Sequence, residues 1–254
     1  MRFENILIDL DYLVYSSHKS ATQTLVQTMN NNGFKCRHCH FLPNIGLSNG
    51  DFQLYLESYL EKNNRKSNVI TVFREPMERH ISSFFQGYGS RPLRLKEVDN
   101  EFETIIYRNT IEQLQHKFIS ELADKSLIGY PESIHDICQE LQIKVEELNY
   151  SEETGFGLYE TSKIKLYIFR FDTLVKNIET LLHDVTGKKI VKKNMNLSDL
   201  KFYKDKYSEF KASLVVPRHI ILDVYNSKRN IINLLYSGNF DSILNQALIK
   251  YVKV

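Results

Sequence analysis

A chain of 254 residues, 42% hydrophobic and 25% charged, with a formal net charge of +2, has the composition of an ordinary soluble globular protein and length enough to bury a core. Three cysteines are too few for a disulfide scaffold and point to a reducing compartment. Glu4, Asp9 and Asp11 interrupt the apolar N-terminal stretch, which argues against a signal peptide or a membrane span and for a cytoplasmic chain. The overall charge selects no partner. The local clusters Lys188–Lys189, Lys192–Lys193 and Lys201–Lys204–Lys206 read either as solvated faces or as contacts to an anionic ligand.

In chain order, Tyr12 to Ser16 is a short β-type run. A polar loop follows, then a helix from about Ala21 to Asn31 that Gly33 ends. Lys35 to Leu42 reads as a second strand, and Asp51 to Lys62 as a helix with apolar Phe52, Leu54, Tyr55, Tyr59 and Leu60. Val69 to Phe73 is a third strand, apolar almost throughout, as expected when both faces are covered. Pro76 to Tyr88 follows as a helix, with Met77, Ile81, Phe84, Phe85 and Tyr88 on one stripe. The stretch from Glu101 to Gln142 is largely helical. Leu166 to Phe169 is a fourth strand, and Thr173 to Val185 a helix stopped by Gly187. From Ser198 onward the pattern is helical, with Pro217 opening one helix and Gly238 closing it. Strands alternating with helices predict an α/β fold: a central parallel sheet, helices on both faces and a helical C-terminal part. The chain is expected to form one domain, with ligand motifs in residues 1–95, a helical insertion in 96–160 and the last strand and C-terminal helices in 161–254.

Ligands of such sheets lie beyond the carboxyl ends of the strands, which directs attention to three places. After the first strand comes "HKSATQTL", His18 to Leu25. Small hydroxylated residues around a lysine, at a helix N-terminus, suit a phosphate: the helix supplies partial positive charge, Lys19 a full one, and Ser20, Thr22 and Thr24 hydroxyl donors. The alternative is a helix capped by Ser20 or Thr22 beside an exposed lysine. Leu13 to His18 lack the glycines of a Walker loop.

The second place is "CRHCHFL", Cys36 to Leu42. On a strand, Cys36, His38 and His40 face one way while Arg37 and Cys39 face the other, so the two cysteines are poorly placed to share a metal. The two histidines remain as general-base candidates. The third is the junction "VITVFREPMERHISSFF", Val69 to Phe85. Here an apolar strand runs into Arg74, and Glu75 and Glu78 favour the positive end of the following helix. Arg74 is either tied to a carboxylate or holds an anion. Arg79 is expected to be structural, and Ser82 borders the apolar stripe.

"HKSATQTL" resembles the 5′-phosphosulfate loop of sulfotransferases, Lys-Thr/Ser-Gly-Thr-x-x-Leu. "VITVFREPMERHISSFF" is similar to their 3′-phosphate motif, an apolar strand followed by Arg-Asp-Pro-x-x-Arg-x-x-Ser. "HCHFL" resembles the His-x-His segment of uronyl 2-O-sulfotransferases, and "LYIFRFDTL" is loosely similar to a later family strand. The order is the family's, and the resemblance covers the N-terminal third. Ala21 replaces the loop glycine and Glu75 the usual aspartate.

The resemblance implies a P-loop-like three-layer fold and a donor, 3′-phosphoadenosine 5′-phosphosulfate (PAPS), released as 3′,5′-phosphoadenosine (PAP). It implies that Lys19, Ser20, Ala21, Thr22, Gln23 and Thr24 hold the 5′-phosphosulfate, Arg74 and Ser82 the 3′-phosphate, and that His40, or else His38, takes the acceptor proton. Lys19 would also stabilise charge on the leaving oxygen. No metal and no nucleic acid are implied. The acceptor would be a saccharide or glycolipid, such as a bacterial surface or capsular glycan. Arg91, Arg94 and Lys96 could line an anionic saccharide cleft or form an exposed loop. Tyr203 and Tyr207 could stack on a sugar or the adenine, or form the buried face of a helix. Two other readings are a P-loop-like kinase, which would need Mg²⁺ and acidic ligands, and a non-catalytic glycan-assembly protein of the same fold.

Overall fold

A computed structural model describes residues 9–40, 51–87, 106, 109–124, 133–193 and 203–252. In chain order the elements are β1 (Tyr12–Tyr15), α1 (Thr22–Asn31), β2 (Cys36–Cys39), α2 (Asp51–Asn63), β3 (Ser67–Phe73), α3 (Pro76–Gly87), α4 (Ile111–Ala123), α5 (Ser133–Leu141), a 3₁₀ turn (Val145–Glu147), β4 (Phe156–Glu160), β5 (Ile164–Arg170), α6 (Phe171–Thr186), α7 (Lys204–Ser213), α8 (Arg218–Asn226), α9 (Arg229–Leu235) and α10 (Phe240–Tyr251). They fall into two compact units. The first comprises Met1–Arg74, Pro131–Asn196 and Asn230–Gly238; the second comprises Glu75–Tyr130, Leu197–Arg229 and Asn239–Val254.

The first unit is an α/β layer structure around a five-stranded sheet of order β2-β1-β3-β5-β4. β1, β2, β3 and β5 run parallel, and β4 is an antiparallel edge on β5. All but Asn68 of the seven β3 residues are buried, which is why the run reads as continuously apolar rather than alternating. On one face Tyr12, Val14, Ile70, Val72, Tyr167 and Phe169 pack with Leu25 and Met29 of α1 and Leu174, Ile178, Leu181 and Leu182 of α6. The other face meets α2 and α5. The Tyr15 ring lies 6.3 Å from that of Phe52, the Tyr55 hydroxyl 3.1 Å from Ser67, and Thr71 Oγ1 3.0 Å from Ser133 Oγ.

The sequence pattern does not predict strand β4. Its sequence, "FGLYE", carries a glycine and an exposed leucine, Leu158, so the alternation that marks a strand is weak. Gly157 has a packing reason: a Cβ there would come within 2.2 Å of the Asn149 carbonyl oxygen. The expected fourth strand extends to Ile164–Arg170. The second strand, expected from Lys35 to Leu42, is Cys36–Cys39; Lys35 precedes it and His40 stands in a bend after it, while Phe41 and Leu42 lie outside the described residues.

The second unit gathers α3, α4, α7, α8 and α10. Its centre is aromatic: Phe84 and Phe85 meet Phe118 and Phe210 at ring distances of 5.0–5.8 Å. Tyr203 and Tyr207 pack on Phe85 at 5.6 and 5.1 Å, so they are the inner side of that helical stretch. Glu75 accepts from the backbone N–H groups of Met77 and Glu78 at 3.3 and 2.7 Å, satisfying orphan donors at the start of α3, with Pro76 at the first helical position. Glu78 accepts from Lys211, Lys250 and Tyr251 at 2.7, 2.8 and 3.3 Å. The single helix expected between Pro217 and Gly238 is two, α8 and α9. At the break the Ser227 hydroxyl donates to the Val224 carbonyl at 2.8 Å, a local bond that competes with the helical ladder.

Among the described residues no helix is long and apolar enough to cross a membrane. Arg91, Arg94, Lys96 and Lys201 lie outside the described residues.

Candidate functional site

The chain leaves β1 for β2 on one side and later places β3 on the other. The carboxyl ends of β1 and β3 therefore flank the point where strand order reverses, the usual crevice for a ligand in an open parallel sheet. Beyond β1 runs the loop Ser16–Ala21; beyond β3 stands Arg74.

The loop is held from beneath. Ser16 Oγ donates to the Val72 carbonyl at 3.0 Å and lies 3.2 Å from the Val72 N–H. Ser17 exchanges bonds with Ser133 at the start of α5: the Ser17 N–H donates to Ser133 Oγ and the Ser133 N–H to Ser17 Oγ, both at 3.1 Å. Thr71 extends this buried network. The Ser17–Ser133 bonds cross 116 residues of sequence, so the pattern of the loop alone gives no sign of Ser133.

Lys19 and Ala21 both adopt left-handed backbone, with φ of 67° and 59°. Such a conformation disfavours any residue carrying a Cβ; at Ala21 it is the geometry that a glycine would accept freely. The turn delivers the chain into α1 with Ala21 at the N-cap, a residue that has no side-chain group to cap the helix. Ser20 is fully buried, and its Oγ has no hydrogen-bond partner among the described residues. Capping by Ser20, the structural alternative from sequence, is therefore not what the hydroxyl does. Leaving a buried hydroxyl unmet costs about 1–3 kcal/mol. At a helix N-terminus, such a hydroxyl could hold an acceptor-bearing anion. Thr22 is buried, Thr24 half-buried and Gln23 exposed.

Arg74 reaches this loop. Its Nη1 donates to the Lys19 carbonyl at 3.0 Å, and its guanidinium stacks on Phe171, the first residue of α6, at 4.4 Å. The neighbouring strand end behaves differently. Arg170 is committed to Asp172 and Glu152 at 2.9 and 3.1 Å and stacks on Tyr236. Ser82 lies on α3 in the second unit and is half-buried.

The histidines form the third part. His40 Nδ1 lies 2.7 Å from the Ser16 carbonyl. A carbonyl only accepts, so Nδ1 carries the proton and Nε2 the lone pair. Burial and then the nearby His38 push the His40 pKa below the usual imidazole value, against the Ser16 bond, which raises it. Burial likewise lowers that of His38. The His38 ring is 5.1 Å from that of His40, and His38 Nε2 is 3.4 Å from Gln23 Nε2. Gln23 thus meets a histidine. His18, which sequence reasoning passed over, lies with its ring centroid 3.7 Å from that of His40; a loop residue without periodicity carries no signal for such a contact.

Cys36 sits in the α1 core. Cys39 is buried on the Tyr15 and Tyr55 side, and burial pushes both thiols up to about 12. That is the behaviour of structural rather than reactive cysteines. Among the described residues no group of three or more His, Cys, Asp or Glu side chains could hold a metal ion.

Comparison of the chain with protein-family models, with curated proteins and with solved structures finds no match.

Proposed function

We propose that the chain is a sulfotransferase of P-loop-like fold, transferring the sulfuryl group of PAPS to a hydroxyl of a saccharide or glycolipid. The observation that carries the reading is the loop itself. Two left-handed residues flank a buried Ser20 hydroxyl that has no partner among the described residues, at the start of α1 where the N-cap is an alanine, and Arg74 is bonded to the same turn. These residues fit an anionic phosphosulfate. When bound, the donor would supply an activated sulfuryl group with PAP as the leaving group.

The protein's own residues then divide the work. The first-turn N–H groups of α1, Ser20 Oγ and the Lys19 ammonium hold the anion and stabilise charge gathering on the leaving oxygen. Arg74, planar and bidentate, binds a nucleotide phosphate; lysine there would lose both the fork and the stacking on Phe171. His40 Nε2, kept unprotonated near neutrality, takes the proton of the acceptor hydroxyl as its oxygen bonds to sulfur and the bond from sulfur to the phosphate oxygen breaks. His38 and His18 fix the surroundings of that ring.

The test is transfer of ³⁵S from labelled PAPS to a panel of uronate-containing and neutral saccharides and glycolipids, with EDTA present. Label on an acceptor, lost in His40→Ala, supports the reading. No transfer, with Mg²⁺-dependent phosphorylation from ATP instead, would overturn it in favour of a kinase.

A further inference from the structure

The lysine clusters seen in the sequence have different fates. In Lys201–Lys204–Lys206, Lys206 is absorbed into the fold, its ammonium donating to the carbonyls of Ile106 and Asn109 at 2.6 and 2.7 Å. The first cluster, Lys188–Lys189 and Lys192–Lys193, is displayed. Gly187, with φ of 69°, turns the chain out of α6. Ile190 then anchors the segment in the α1–α6 core, and the backbone beyond it is held by side chains. Asn32 treats Val191 as a neighbouring strand would: Nδ2 donates to its carbonyl at 2.9 Å and Oδ1 accepts from its N–H at 3.0 Å. One turn earlier on α1, Thr28 Oγ1 accepts from the Lys193 N–H at 3.1 Å. Glu179 accepts from the Lys192 N–H at 2.7 Å.

These bonds use backbone atoms of the segment and none of its ammonium groups. Lys188, Lys189 and Lys193 are exposed and Lys192 half-buried. Among the described residues none of these four ammonium groups forms an ion pair. Lys35, Lys66, Lys163, Lys165, Lys211 and Lys250, by contrast, each meet a carboxylate. Holding four like charges within six residues costs both repulsion and chain entropy, a cost that a bound polyanion would offset.

We infer that Lys188–Lys193 is a binding strip for a linear anionic saccharide. Six residues reach at most about 20 Å, long enough to meet several charges along a chain. A flat anionic membrane would favour a broad basic face with an apolar wedge. Here Glu179 and Asp184 of α6 are exposed beside a narrow line of lysines, with Val191 as its one large exposed apolar residue. A single-stranded nucleic acid would favour exposed aromatic platforms, whereas Phe34, 4.9 Å from the Lys188 ammonium, is buried. The choice of a saccharide among linear polyanions rests on the acceptor class proposed above. The helix that pins the strip also opens the anion loop, about 15 Å away along its axis, so one chain gripped at the strip is within reach of the site.

Fluorescence anisotropy with labelled short-chain dextran sulfate, beside neutral dextran, tests this in the full chain. Dextran sulfate is expected to bind, and dextran not. Changing all four lysines to glutamine should weaken binding at least tenfold and flatten its salt dependence without lowering the melting midpoint. Asn32→Ala, which releases the backbone but removes no charge, should weaken it about threefold. Neutralising Lys62 and Lys144 should leave it within twofold. Unchanged binding by the four-lysine variant, an equal loss in the Lys62/Lys144 control, or tighter binding to phosphatidylglycerol vesicles or single-stranded DNA would overturn the inference. None of these readouts depends on sulfuryl transfer, so failure of the strip and failure of the catalytic reading are separable.

Discussion

Ala21→Gly isolates the strain in the turn between β1 and α1. Residue 21 stands at φ 59°, ψ 18°, a conformation that costs an L-residue with a Cβ about 1–2 kcal/mol. Glycine removes that strain, and it is also better tolerated than alanine at an N-cap. Its greater freedom in the unfolded chain takes back roughly 0.5–1 kcal/mol. The net expectation is a stabilisation of about 0.5–1 kcal/mol. For a chain of this size that is a rise of about 1–4 °C in the melting midpoint, read by calorimetry at pH 7. Ala21→Val should move the midpoint the other way by at least as much, because a β-branched residue fits left-handed backbone worst. PAP affinity should hold or rise in the glycine variant, since a smaller residue lets the backbone approach an anion more closely. A lower midpoint for Ala21→Gly, or an unchanged one for Ala21→Val, would refute the strained-turn account.

The remaining expectations concern the base, the cores and acid stability. His40→Ala should lower transfer by about 10²–10⁴-fold while leaving PAP binding within twofold. In the parent protein the acid limb of kcat should fall below pH 6.5, because burial depresses the His40 pKa; an acid limb above 6.5 would contradict the assignment. His80 on α3 is fully buried, its Nε2 has no partner among the described residues, and burial lowers its pKa well below the imidazole value. The unfolded chain therefore binds a proton there first, and stability should be complete above about pH 6.5 and fall as pH drops below it. His80→Phe should remove up to about 1.4 kcal/mol per pH unit of that acid dependence, measured by urea unfolding between pH 7 and 5; an unchanged slope would show that His80 is not buried neutral. Gly157→Ala forces a methyl against the Asn149 carbonyl at 2.2 Å and should destabilise the protein by about 2 kcal/mol or more, with a near-neutral result in the same unfolding assay counting against the β4 packing.

Where local pattern and tertiary environment agree, the sequence was easy to read. Val69 to Phe73 is buried on both faces and looks it, and α1 and α6 end at glycines that adopt positive φ. The loop after β1 was visible through its hydroxyls and Lys19, and Arg74 through its place at a strand end. What stayed hidden depends on contacts distant in sequence. Ser133 supports the loop from 116 residues away, and nothing in its own neighbourhood announces it. His18 needed the fold to bring it against His40. Lys206 has the character of a surface charge, yet its ammonium spans two carbonyls. The β4 strand was lost because Gly157 and the exposed Leu158 blur the period on which a strand is recognised.

The central claim, a donor site at the switch point of the sheet, is tested most directly by calorimetric titration of the protein with PAP, beside AMP and ATP, in EDTA. The account predicts tight binding that requires the 3′-phosphate and weakens by about 1.5–3 kcal/mol in Arg74→Ala. An absence of PAP binding, or a preference for ATP that Mg²⁺ restores, would contradict it.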